Sequence, residues 1–270
     1  MPNLLRKAQT GFGHVAHVSP DTAGWNYVGF DLHRLRPGES VEEETGGREH
    51  CLMLVSGRAH ASAGGEDFGL IGERKNPFEG KPWSVYVPEG SSWRVRAETE
   101  LELAVCSAPG RRGGLPARLI SPDDLSQEVR GTGTNTRHVT NILSENQPAD
   151  SLLVVEVITP GGHTSSYPPH KHDHDDFPRE TYLEETYYHR LNPPQGFAFQ
   201  RVYTDADEQG FRSLDVAMAV EDGDVVLVPE GYHPCAACHG YDLYYLNVMA
   251  GPRRAWRFHN APEHEWLLRR

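Results

Sequence analysis

The strongest constraint on this chain is an internal echo. Val85-Tyr86-Val87-Pro88-Glu89-Gly90-Ser91-Ser92-Trp93 lies opposite Val226-Leu227-Val228-Pro229-Glu230-Gly231-Tyr232-His233-Pro234, 141 residues further on. In both copies an apolar run stops at Pro-Glu-Gly, the pattern of a buried strand delivered into a tight turn. Glu49, ahead of Leu52-Met53-Leu54-Val55-Ser56-Gly57, is echoed by Glu185 ahead of an aromatic strand at a separation of 136 residues. Two nearly equal offsets indicate two copies of one module with small loop differences. Such a chain folds as two similar halves.

The rest of the pattern says what each half is made of. The chain of 270 residues carries 27 glycines and 20 prolines, and only 37% of it is apolar, which favours short strands and turns over long helices. Alternating segments recur at 25–36, 50–55, 83–87 and 100–105, with Gly64-Gly65 reading as a hairpin tip. In the second half they recur at 152–158, 185–190, 197–203, 225–228 and 243–249. The expectation is an all-β chain of two barrels or sandwiches. Pro109 to Gly114 reads as a linker. Ser121-Pro122-Asp123-Asp124 has the signature of a helix start, with an end near Arg130-Gly131. The expected division is residues 1–115 for the first barrel, 116–145 for a linker with a short helix, and 146–270 for the second barrel.

Charge and cysteine usage narrow the function classes. A net charge of −12 argues against nucleic acid or anionic lipid as a partner. No apolar run is long enough for a membrane helix, and Met1-Pro2-Asn3-Leu4-Leu5-Arg6-Lys7 does not read as a secretory signal, so a cytoplasmic protein is expected. Its four cysteines are then expected to be reduced thiols. Cys235-Ala236-Ala237-Cys238-His239 has the spacing for c-type haem attachment. That chemistry belongs to exported proteins, so incidental cysteines in a loop are the expectation.

One motif carries chemistry. His170-Lys171-His172 places two imidazoles on the same face of an extended strand, with Lys171 pointing the other way. One carboxylate, Glu184 or Glu185, and one more histidine, His233, would complete a site for a divalent transition metal. The first half lacks the paired histidines and has Trp93 where the second has His233, so only the second half is equipped. Imidazole ligands suit Zn, Mn, Fe or Ni better than Ca or Mg, with Zn the first expectation. His174 reads as a loop residue at the edge of the cluster.

Over Ser166 to Asp173, Leu183 to Tyr188, Asn192 to Phe197, Met218 to Pro229 and Tyr244 to Gly251 the chain resembles the cupin superfamily. Within it the resemblance is to the two-barrel uronate isomerases of myo-inositol catabolism. It implies two tandem cupin barrels (double-stranded β-helix, or jelly-roll), the second metal-binding and the first degenerate. It implies His170, His172, Glu185 and His233 as ligands of one metal ion per chain, with Glu185 preferred over Glu184. The implied reaction is the isomerisation of a 5-deoxy-glucuronate to its 2-keto form, the metal serving as Lewis acid and a base moving the C2 proton to C1. Tyr203, His189, His174 and Lys171 are the candidates for that base, and the sequence does not choose between them. Arg201 and Arg190 are candidates for gripping the substrate carboxylate, and Asn247 for meeting the barrel interior. The partner expected is a small sugar acid, and self-association to a dimer or larger is expected as well. Another uronate, an Fe-dependent dioxygenase reaction and simple sugar binding are the alternatives the motif leaves open.

Overall fold

Long strands with side chains on alternate faces can serve two cores at once, and both halves of this chain use them so. The computed structural model describes residues 3–111 and 114–269. In the first half a six-stranded sheet has the spatial order Arg118–Ile120, Ser84–Val87, Arg48–Ser56, Leu101–Pro109, Gly29–Leu35, Gly13–Val18. It is accompanied by a four-stranded sheet, Ser40–Glu44, Ser92–Ala97, Ala59–Ala63, Glu66–Ile71. The second half repeats the scheme. Its seven-stranded sheet runs Leu5–Arg6, Val225–Val228, Glu184–Asn192, Asp242–Ala250, Leu153–Thr159, Arg137–Leu143, Ser126–Arg130. The accompanying four-stranded sheet is Thr164–Ser165, Cys235–Ala237, Phe197–Tyr203, Asp215–Glu221.

Three large apolar clusters follow among the described residues, beside a small one of Tyr203, Tyr232 and Ala261. One fills the first barrel around Leu52, Leu54, Val85 and Trp93, and one fills the second around Tyr187, Val202, Val226 and Met249. The third lies between the two large sheets and joins Phe30, Met53 and Cys106 to Val154, Tyr188 and Leu246. Leu52 and Leu54 therefore face one core while Cys51 and Met53 of the same strand face the other.

Buried polar groups also tie the halves together, in matched pairs. Glu49 accepts backbone N–H bonds from Asp150, Ser151 and Leu152 at 2.7, 2.6 and 2.6 Å, while Glu184 accepts them from Asn26, Tyr27 and Val28 at 2.7, 2.7 and 3.1 Å. Each carboxylate thus closes the backbone of the other half. Arg74 and Glu156 form an ion pair at 2.9 Å between the barrels, both nearly inaccessible to water. A pair so buried adds little net stability when intact, but removing one partner strands a charge.

Three sequence expectations need correction here. The helix start at Ser121 is real, since its N–H and hydroxyl both donate to Asp124, yet it yields a single 3-10 turn, Pro122–Asp124. Leu125 then buries itself in the core between the barrels, and Ser126–Arg130 continues as a strand paired with Arg137–Leu143. An available partner edge prevails over a helix too short to be stable alone. The stretch expected as a linker accordingly supplies strands: Arg118–Ile120 to the first half, the next two to the second. The Cys235 segment is likewise a strand of the barrel wall, Cys235–Ala237, because its backbone pairs with Thr164–Ser165 on one side and Phe197–Tyr203 on the other.

Candidate active site

Three polar side chains meet at one end of the second barrel. His172, Glu185 and His233 place a nitrogen or oxygen each within 4.8 Å of one another, all three buried. Glu185 reaches the site because its strand alternates: Glu185, Tyr187 and His189 share the inner face, while Glu184, Tyr188 and Arg190 look toward the first half. That alternation separates Glu184 from Glu185. It also corrects the echo, for Glu49 matches Glu184 in its contacts, not Glu185. Next to Glu49, His50 takes the place of Glu185 and accepts the indole N–H of Trp93 at 3.0 Å. The first barrel has closed its site with a hydrogen bond.

His233 is delivered by the turn after Val225–Val228. Gly231 has a φ of +86°, and its carbonyl accepts the Nδ1–H of His233 at 2.8 Å. The Nδ1–H of His172 is taken by the Leu183 carbonyl at 2.9 Å. Both rings therefore turn Nε2 inward, and both Nε2 atoms face the same oxygen of Glu185, at 3.1 and 3.3 Å. Lone pairs of three groups converging on one point repel unless a cation lies between them, and backbone-anchored Nδ1 atoms are the usual support of metal-ligating imidazoles. The Nε2 of His233 has no hydrogen-bond partner although it is buried. These residues fit a divalent metal ion.

His170 stands beside the three, on the two-residue strand His170–Lys171 paired with His259–Asn260. Its ring centroid is 4.9 Å from that of His233 and 6.4 Å from that of His172, and it packs at 4.6 Å on Phe258. Burial pushes His233 down to about 4 and His170 well below its ordinary value, which keeps both imidazoles neutral. Burial also opposes charge on His172, but Glu185 outweighs it and holds that ring above its ordinary value.

The other candidates are placed as follows. Lys171 points away from the site, as expected, and is held by Asp205 at 2.6 Å and Asp173 at 3.1 Å. His174 is exposed and bonded to Asp173. His189 lies inside the barrel, its Nε2 bonded to Gln200 at 2.9 Å and its Nδ1 without a partner; burial pushes it down to about 4. Asn247 is also interior, with its amide nitrogen unpartnered. Tyr203 stacks on Tyr232 under the guanidiniums of Arg201 and Arg212, on the strand face opposite Ala198 and Val202, which pack inside the barrel. Arg201 is engaged by Asp215 through two hydrogen bonds, and Arg190 by Glu102 and Asp222 between the halves. The structure thus gathers His172, Glu185 and His233 with His170 adjoining, brings His189 and Asn247 into the same barrel, and leaves Tyr203, Arg201 and Arg190 elsewhere.

A cleft of about 350 Å³ opens beside His170 and is lined by Arg130, Arg137, Tyr167, Phe258 and Asn260 among others. Sequence reasoning passed over both arginines. Their only sequence signal was a pair of cations bracketing a Gly-rich turn, Arg130-Gly131-Thr132-Gly133 to Arg137.

With this geometry the known proteins that match can be placed. The KduI/IolB family model matches residues 4–267. A 5-deoxy-glucuronate isomerase of Geobacillus kaustophilus is 54% identical, the match covering 95% of this chain and 91% of that protein. One of Bacillus licheniformis is 48% identical over the full length of both. The crystal structure of an IolB-like protein from Salmonella typhimurium LT2 superposes with a TM-score of 0.95 at 56% identity, covering 99% of this chain and all of the other. Oxalate decarboxylase of Lactobacillus farciminis, a two-barrel cupin, shares the fold at a TM-score of 0.67 and 13% identity, covering 100% of this chain and 91% of its own. Two barrels, one retaining its interior polar site and one having closed it, on a chain matched from end to end: this protein belongs to the KduI/IolB family.

Proposed function

We propose that this protein is an isomerase of myo-inositol catabolism that converts 5-deoxy-glucuronate from its aldose to its 2-keto form, in the second barrel. The observation that carries this reading is the identity of about half, end to end, with relatives that bear that activity in their names. The site's chemistry agrees with it. A divalent transition metal, Zn foremost with Mn, Fe or Ni as alternatives, would be held by His170, His172, Glu185 and His233. When bound there it supplies a Lewis acid that polarises the sugar's carbonyl.

The remaining work belongs to the protein. The reaction moves a proton from C2 to C1 and the hydroxyl proton from O2 to O1, with no change in composition. Of the candidate bases, His189 is the best suited. It is interior and neutral, and its Nδ1 is a bare acceptor, fixed in that tautomer by Gln200. Lys171 is held as a cation by two carboxylates, and Tyr203 stands on the wrong face of its strand. Buried polar atoms without partners also stand inside this barrel, on His189, His233 and Asn247. An interior arranged so is suited to a polar ligand.

No helix among the described residues is long and apolar enough to cross a membrane. A cytoplasmic enzyme, self-associated as a dimer or larger, completes the reading; Phe197, Phe199 and Phe211, exposed on the second barrel, are surfaces such contacts would use.

The test is NMR of 5-deoxy-glucuronate with the enzyme in D2O. The expected outcome is ketose carrying deuterium at C1. No ketose defeats the substrate assignment, and ketose free of deuterium removes His189 as an exchanging base. His172→Ala and His233→Ala are each expected to lose bound metal and turnover while the fold survives. Full metal content in either variant removes that residue from the ligand set.

A further inference from the structure

Arg130 and Arg137 are directly opposite one another in the ladder between Ser126–Arg130 and Arg137–Leu143. Like charges in that register repel, and a sheet bears the cost only where something of opposite sign answers it. Arg130 has an answer in Glu128 at 2.6 Å and lies over the Trp256 ring. Arg137 has none. Its guanidinium donates to the Asn135 carbonyl at 3.0 Å and pairs with no carboxylate among the described residues. Burial holds it below its ordinary value, so its charge is borne at a cost.

The surroundings point the same way. The cleft beside His170 has no acidic side chain among its described lining residues, in a chain of net charge −12. Other hollows on the molecule are lined by Glu42, Glu43 and Asp67, or by Asp175, Asp176 and Glu180, and would repel an acid. The loop that carries Arg137 is fixed in advance. The amide of Asn135 donates to the Tyr167 carbonyl at 2.9 Å and accepts from Thr164 at 3.1 Å. One loop therefore positions the free guanidinium against the segment that leads to His170. Arg190 and Arg201 already have resident carboxylates.

Resting on the isomerase reading above, we propose that Arg137, supported by the charge of Arg130, seats the substrate's carboxylate in the cleft beside His170. A planar guanidinium with a free donor edge matches a carboxylate in a way a neutral sugar cannot supply. The arrangement selects uronates over neutral aldoses and orients the chain with its carbonyl end toward the histidines.

The carboxylate is remote from the carbons that react, so its contact is the same in ground and transition state and appears in KM. Arg137→Gln is expected to raise KM for 5-deoxy-glucuronate roughly 10- to 100-fold with kcat within a few-fold. Arg137→Lys should fall between the variant and the parent. Unchanged KM in either, whatever happens to kcat, overturns the proposal. A measurement on the unmodified protein covers a variant that fails to fold. D-glucuronate should protect Arg137 from phenylglyoxal, read by peptide mass spectrometry, and D-glucose should not. Equal labelling with and without glucuronate refutes the seat. Because this arm needs no turnover, it tests the carboxylate seat even if 5-deoxy-glucuronate proves not to be the substrate.

Discussion

Glu184 and Glu185 are adjacent, chemically identical and both buried, yet they belong to different machinery. Glu184 accepts three backbone N–H groups from the first half, whereas Glu185 faces two imidazoles in the second barrel. Removing the first strands three donors, one buried and two part-buried, so Glu184→Ala is expected to cost about 3–5 kcal/mol. Glu185→Gln keeps size and packing and is expected to cost about 1 kcal/mol or less in stability while abolishing metal retention. Urea midpoints and metal content measured on both variants check this; similar metal loss in both would mean that the two residues share one role. The residues alone offered both glutamates and the resemblance favoured Glu185; the strand's alternation and its neighbours give the two their different surroundings. The sequence pointed the wrong way for Tyr203 and Arg201, because Phe197 and Phe199 make their face the more apolar one although both phenylalanines are exposed. Ala198 and Val202 mark the inner face of their strand, and both candidates fall on the other. Arg137 was hidden for a different reason. What distinguishes it is the lack of a partner, which no local pattern can display.

The Pro-Glu-Gly turn is where sequence and site meet most directly. Gly231 adopts a φ of +86°, and a Cβ there would collide with the backbone carbonyl of Tyr203. The same residue anchors His233 through its carbonyl and donates its N–H to Asp173 at 2.9 Å, joining the turn to the segment after His172. Gly231→Ala must shift this turn, and a shift here moves one ligand relative to another. The expected result is a loss of about 1–3 kcal/mol in stability, together with weaker metal retention on dialysis against a mild chelator. Gly210→Ala also replaces a left-handed glycine, but in open space away from the site, and it should leave retention intact. If both behave alike, the turn does not position His233. The strands that could be read were legible because period-two alternation survives in a single sequence, as at Gly29–Leu35, or because an apolar run stops at Pro-Glu-Gly, as at Val225–Val228. The stretch after Asp124 was not, since its strand depends on an edge offered by Arg137–Leu143 and its helix signal is locally valid. Nor could local pattern show that His170–Lys171 pairs with His259–Asn260, a partner far along the chain.

Because the two barrels share one core and exchange buried carboxylates, each is expected to unfold with the other, and anything that weakens one weakens both. Buried histidines supply such a lever in each half. His50 in the first barrel and His189 in the second are both pushed down to about 4 by burial. An unfolded histidine takes its proton near pH 6.5, so between 6.5 and 4 the unfolded chain binds protons that the native one refuses. The sign follows: this share of stability is fully present above about pH 6.5 and is lost as pH falls toward 4. Each site contributes up to about 3 kcal/mol at the acid end, against a total of roughly 5–15 kcal/mol for a folded protein. Chelator-treated protein is the right material, since metal release then adds nothing. Its urea midpoint should be level above pH 7 and decline from pH 6.5 to 5 in a single transition seen alike by far-UV circular dichroism and tryptophan fluorescence. His50→Gln retains an acceptor for the Trp93 N–H and removes the titration, so its decline should be shallower. A midpoint that stays constant down to pH 5 would show that these histidines do not set the acid limit. Two separate transitions would show that the shared core does not bind the halves into one cooperative unit.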